Sequence, residues 1–218
     1  MGGRLEAALA LRELGWNVVA APRGGKSPLG QWKRWQTEVI PERILREVFD
    51  DESDHNLFVI TGSVSRLAVL DCDDDAAVKY WRSRLGEVLE KTARVRTGNG
   101  YHFYFRLEEG QVERGRSSPQ DGAAKWDLRA EGGGVVAPPS VHKSGRIYRW
   151  SPNRGPETVQ PAPAELFDRS GEGVEAGEEP RSVLSHLLTH PPEGEGGRNN
   201  WLAKVAGHYA RHMPFRAT

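Results

Sequence analysis

Asp71 and Asp73 close the apolar run Leu67-Ala68-Val69-Leu70 with a single residue between them. In an extended chain residues two apart share a face, so both carboxylates point together while Cys72 points away. Carboxylates at that spacing can share one or two hard divalent cations, Mg²⁺ or Mn²⁺, which take oxygen ligands. An Asp-rich turn after a strand often only caps the next helix, and Asp74 or Asp75 can serve that end. A second segment, Tyr101-His102-Phe103-Tyr104-Phe105-Arg106, puts His102, Tyr104 and Arg106 on one face and three aromatic rings on the other. His102 follows Gly98-Asn99-Gly100, where small residues leave room for a phosphate that the imidazole can meet as a donor. A half-buried histidine on a sheet is the competing account. In Lys125-Trp126-Asp127-Leu128-Arg129 the charged residues alternate with core-like ones. A carboxylate between two cations suits a bound ion and its anionic ligand; a solvated face competes. Beyond Gly132-Gly133-Gly134, Ser140, His142 and Lys143 offer hydroxyl, imidazole and ammonium donors to a triphosphate, or simply decorate an exposed turn.

Positioning these groups requires strands. Apolar runs at 57–60 and 67–70, separated by Thr61-Gly62-Ser63, predict two buried strands. Residues 93–97 and 101–107, joined by Gly98-Asn99-Gly100, predict a hairpin. Further strands are expected at 16–20, 125–128, 134–137 and 146–150. Helical spacing predicts helices over 4–14, from Pro41 through Phe49, and from an Asp74 cap through Val88. The predicted class is α+β (α/β) around a mainly antiparallel sheet. The expected domains are a catalytic unit at 1–168, a Gly/Glu-rich linker at 169–180 and a helical tail at 181–218.

Composition narrows the function classes. Lys and Arg total 30, as do Asp and Glu, so net charge gives no general pull toward nucleic acid. Charge is uneven, however: aspartates crowd 50–75 and arginines crowd 94–129, which a site for cations and polyphosphate would need and which two solvated faces explain equally well. The single cysteine excludes an intrachain disulfide and a multi-cysteine zinc site. No apolar run reaches the roughly 20 residues needed to span a bilayer, and the start lacks a signal-peptide core, so a cytoplasmic protein is expected.

Together these segments resemble the bifunctional primase-polymerase family, within the archaeo-eukaryotic primase superfamily. Its motifs read here as Asp71-Cys72-Asp73, Gly100-Tyr101-His102 and Trp126-Asp127. Gly24-Gly25-Lys26-Ser27-Pro28 with Trp32, Thr61-Gly62, Thr97-Gly98-Asn99-Gly100 and Ala137-Pro138-Pro139-Ser140 with Tyr148 follow in the family's order over residues 4–167. The tail around Gly197-Arg198-Asn199-Asn200-Trp201 resembles the start of a primase C-terminal domain.

The resemblance implies an RRM-like half and a second α/β half with the site between them. It implies template-dependent nucleotidyl transfer on single-stranded DNA, priming or extending. Asp71, Asp73 and Asp127 would hold two Mg²⁺ or Mn²⁺ ions, and His102 would complete the catalytic set by meeting the nucleotide's phosphates. Lys26, Asn99, Arg129, Ser140, His142 and Lys143 are further nucleotide-binding candidates. The substrates would be dNTPs, with NTPs as an alternative, and a helicase or other replication protein is a further partner. Lacking all but one cysteine, the chain should lack the zinc-binding stem of some relatives.

Alternatives remain open on the residues alone. A P-loop fails because Gly25-Lys26-Ser27 lacks its upstream glycine, position 20 being alanine. An Asp-x-Asp glycosyltransferase explains only the first motif. A rolling-circle nicking enzyme would want paired histidines, and His102 has none two residues away. A non-catalytic single-strand binder could stack bases on Trp32, Trp35, Tyr101 or Tyr104.

Overall fold

The computed structural model describes residues 3–50, 53–118 and 122–168; the expected linker at 169–180 and helical tail at 181–218 lie outside the described residues. Helix α1 (Arg4–Glu13) precedes strand β1 (Asn17–Ala21), and a 3₁₀ segment (Trp32–Gln36) and α2 (Glu42–Val48) precede β2 (Asn56–Ile60). Then come β3 (Leu67–Cys72), α3 (Asp75–Leu85), α4 (Glu87–Lys91), β4 (Arg94–Arg96) and β5 (Tyr101–Arg106). The remaining strands are β6 (Arg116–Ser117), β7 (Trp126–Arg129), β8 (Gly134–Ala137), β9 (Arg149–Trp150) and β10 (Gln160–Pro161). The fold is α+β.

Two sheets divide the strands. The small one runs β1-β2-β8; the large one runs β6-β7-β3-β5-β4-β9, with β10 beside β5. Among the described residues every ladder is antiparallel except β10–β5. The two apolar runs at 57–60 and 67–70 are therefore not partners: β2 belongs to the small sheet and β3 to the centre of the large one. The turn between them carries the chain from one sheet to the other, with Gly62 bridging Leu67.

Each face of the large sheet has its own core. Phe103, Phe105, Leu70, Cys72, Trp126 and Leu128 pack under α3 and α4, on Trp81, Leu85 and Leu89. Trp81 meets Trp126 edge-on at 4.9 Å, a geometry the ring quadrupoles favour. Val69, Val95, Tyr104 and Tyr148 face the other way, against the small sheet, α1 and α2. This corrects one expectation. Tyr104 was placed on a charged face with His102 and Arg106, yet it is wholly buried and its ring stacks on Trp16 at 5.4 Å. The small sheet covers that face at Tyr104 and leaves a cavity near the strand ends that carry Asp71 and His102.

Asp74 is the cap of α3, its Oδ1 accepting the Ala77 N–H at 2.7 Å, while Oδ2 accepts the Lys125 N–H at 3.2 Å. Asp74→Ala should cost about 1 kcal/mol, the usual loss for an N-cap carboxylate. Thermal melting should show a Tm lower by roughly 2–4 °C; an unchanged melt would make the cap idle. Gly86 at φ +54° ends α3 and lets the chain turn into α4.

Candidate active site

Neighbouring strands set the chemical residues in one line. Asp71 of β3 stands directly opposite Asp127 of β7 on one side and His102 of β5 on the other. Ser117 of β6 continues the line past Asp127, and Val95 of β4 past His102. Residues directly opposed in antiparallel ladders point to the same face with Cβ atoms about 5 Å apart. Asp73 lies two residues beyond Asp71, its N–H held by the Lys125 carbonyl at 2.9 Å, and so shares that face.

This face floors a cavity of about 320 Å³. One wall is Lys26, Ser27, Pro28 and Trp32; the other is Phe58 and the Gly132–Val136 run, with Tyr148 beside His102. Gly134 lets β8 pair closely with β2, since a Cβ there would meet the Phe58 ring at 2.2 Å and the Val59 carbonyl oxygen at 2.7 Å. Of the sequence-predicted residues the structure brings together Lys26, Asp71, Asp73, His102, Asp127 and Arg129.

The charges in the cavity are strongly coupled. Burial by itself would raise the Asp71 pKa. The His102 ring, whose Nε2 lies 3.3 Å from Oδ1, outweighs it with Lys26 and Arg129 and holds the carboxyl below its usual range. Asp73 goes the other way: burial and the charges of Asp71 and Asp127 raise it, against a smaller pull from Lys26 and His102. Asp127 accepts hydrogen bonds from the Ser117 hydroxyl and from Arg129, whose Nη2 is 2.5 Å away. The Tyr148 phenol is pushed up to about 12 by burial and by the Asp71 and Asp73 charges.

Do these residues suit divalent cations? As the side chains stand, Asp71 turns to His102 and Asp127 to Arg129 and Ser117. Among the described residues no three acidic, histidine or cysteine side chains form a ready metal cage. The donor chemistry does fit: two carboxylates two residues apart and a third across from Asp71 share one cavity, all oxygen donors of the kind Mg²⁺ and Mn²⁺ prefer. A cation between them would offset their mutual repulsion, which adds to burial in raising Asp73.

Four expected contacts are placed elsewhere. The Ser140 hydroxyl is buried, accepting the Leu57 N–H at 2.8 Å, so it ties the loop after β8 to β2 and has no access to a phosphate. His142 is also buried, its ring against Gly98 and Tyr148 and its Nδ1 2.9 Å from the Ser144 hydroxyl. Burial and the nearby Lys26, Lys143 and Arg146 lower its pKa, which weakens it as a cation for a phosphate. Lys143 and Asn99 are exposed and do not line the cavity. Of the rings proposed for base stacking, only Trp32 lines it. Sequence reasoning missed Phe58 as a wall and Ser117 as the partner of Asp127; β6 is too short to leave an alternating pattern.

The family model for the N-terminal domain of bifunctional DNA primase/polymerases matches residues 7–165, which include the whole line from β6 to β9. The model for primase C terminal 1 (PriCT-1) matches residues 166–213. No curated protein matches.

Proposed function

The chain belongs to the bifunctional DNA primase/polymerase N-terminal family, and from that premise we propose that it joins nucleotides on a single-stranded DNA template. The replication-related primase/polymerase assignment rests on the two family matches. The reading of the site rests on one observation: Asp127, Asp71 and His102 stand in direct cross-strand register on one face, with Asp73 adjoining. Asp71, Asp73 and Asp127 would hold the divalent cations, which when bound supply Lewis-acid activation of the attacking 3′-hydroxyl and neutralise charge on the leaving pyrophosphate.

The chain's own residues do the rest. A new bond forms between the 3′-oxygen and the α-phosphorus, the bond to the β-phosphate bridging oxygen breaks, and the hydroxyl proton passes to solvent. His102, beside Asp71, and Lys26, on the cavity wall, would donate to the β- and γ-phosphates. Arg129 screens the Asp127 side and can swing from that carboxylate to a phosphoryl oxygen as charge builds there. Tyr148 backs His102 and fixes the depth of the cavity at the nucleotide's end.

Incubating the protein with primed single-stranded DNA, labelled dNTPs and Mn²⁺ or Mg²⁺ should give template-directed incorporation that EDTA abolishes. Tight DNA binding without incorporation under either metal would instead favour the non-catalytic binder. Sugar-nucleotide turnover would favour the glycosyltransferase.

A further inference from the structure

The cavity over the aspartates continues past Arg129. A roomier depression of about 610 Å³ adjoins it, and the two share Arg129, Gly132 and Gly133. The second depression lies on the Asp127 side of the line, away from His102, between the 3₁₀ segment at Trp32–Gln36 and the edge strand β6. Gln36 reaches across, its amide donating to the Gly132 carbonyl at 3.0 Å.

Most charged groups here are committed elsewhere. The Arg116 guanidinium donates to the Leu166 carbonyl at 2.8 Å and lies over Trp126 at 5.2 Å, so it is structural. Arg129 is held by Asp127. The Glu131 carboxylate is turned to Ser63, accepting its N–H at 2.8 Å and its hydroxyl at 3.2 Å. Arg114 differs: its backbone is pinned by a bridge to Glu131, while its exposed side chain has no hydrogen-bond or ion-pair partner among the described residues.

We propose that this groove seats the strand that carries the attacking 3′-hydroxyl, with Arg114 on a phosphate behind the reacting end. The proposal rests on the functional reading above and adds a direction to it. Phosphoryl displacement is in line, so the attacking oxygen approaches opposite the leaving pyrophosphate. The phosphate-facing donor His102 stands on the β5 side of Asp71, and the strand must therefore enter from the other, over Asp127. The structure is open on that side. Where the two depressions meet, Gly132-Gly133 put no side chain of their own in the way of a sugar-phosphate backbone, the Gln36 amide on the Gly132 carbonyl must turn aside for it, and Arg114 supplies the cation such a backbone needs.

The test uses the full chain with Arg114→Glu, Arg114→Ala and, as a remote control, Arg106→Ala, which removes an exposed cation four residues along β5 from His102. Binding of primed and of unprimed template is followed by fluorescence anisotropy, and extension by dNTP incorporation. Arg114→Glu should weaken primed-template binding and raise its KM by about tenfold, with the dNTP KM unchanged. Its salt dependence should be shallower by roughly one counterion. Arg114→Ala should do the same more weakly, and Arg106→Ala should match the parent. Equal weakening of primed and unprimed template would put the template in the groove and overturn the proposal, as would no change in either. If the parent protein incorporates nothing but binds primed template better, and only Arg114 variants lose that preference, the catalytic reading falls while the groove stands. Normal incorporation with indifference to Arg114→Glu sinks the groove alone.

Discussion

Asp127→Asn and Asp71→Asn should each reduce nucleotide incorporation by about 10²–10³-fold or more, the range for removing one preorganised group that stabilises transition-state charge. Asparagine is nearly isosteric, so the fold should survive. At position 127 the single amide oxygen can still accept from Ser117, which preserves the β6–β7 edge, while the NH2 that replaces the other oxygen releases Arg129. What is lost is a negative charge where three carboxylates together make the cavity attractive to a divalent cation. At position 71 the loss is double, because Asp71 also holds His102 at 3.3 Å. Steady-state incorporation, far-UV circular dichroism and a thermal melt on each variant check this. Near-parental synthesis by either one would remove that residue from the site. Melting far below the parent would make the activity loss uninformative, and metal binding by the Asp73→Asn protein would then carry the question.

Among the described glycines, Gly100→Ala should be the most damaging substitution. A Cβ at Gly100 would stand 1.9 Å from the Cys72 carbonyl oxygen, and that atom belongs to backbone held between β5 and β7. The clash can be relieved only by moving the chain that carries Asp71 and Asp73, or by breaking the turn that presents His102. Overpacking by even a methyl group typically costs 1–3 kcal/mol, and against backbone about 3 kcal/mol is expected. For a chain of this size that is a Tm lower by roughly 6–12 °C. Incorporation should fall further than the loss of folded protein explains. Gly98→Ala is the comparison: a Cβ there meets the His142 ring at 2.2 Å, a side chain that can rotate at some cost. The milder effect should belong to Gly98. A Gly100→Ala protein with parental melting and synthesis would contradict the close approach.

That contact explains a motif which sequence alone could only match by pattern. A small residue two before His102 reads in the sequence as room for a ligand. In the structure the room at Gly100 is taken by the protein's own backbone, where the Asp71–Asp73 strand end passes beneath the β4–β5 turn. Ser140 carries the same lesson in reverse. A hydroxyl after Pro138-Pro139 reads as a free donor, yet its partner is Leu57, far off in sequence, and only β2–β8 pairing reveals it.

What the amino-acid order determined unaided is the local part: the period-two alternation that puts Asp71 with Asp73 and Lys125 with Arg129 around Asp127, the glycine turn before His102, the Asp74 cap, and the α+β class. These are short-range consequences of φ/ψ sterics and side-chain direction. The order β6-β7-β3-β5-β4-β9, the small sheet that buries Tyr104 and walls the cavity with Phe58, and the groove past Arg129 with Arg114 on its edge were decided only by the tertiary structure. Strand partners are chosen by burial of both sheet faces at once, an energy summed over contacts distant in the chain, and no window of sequence holds that sum.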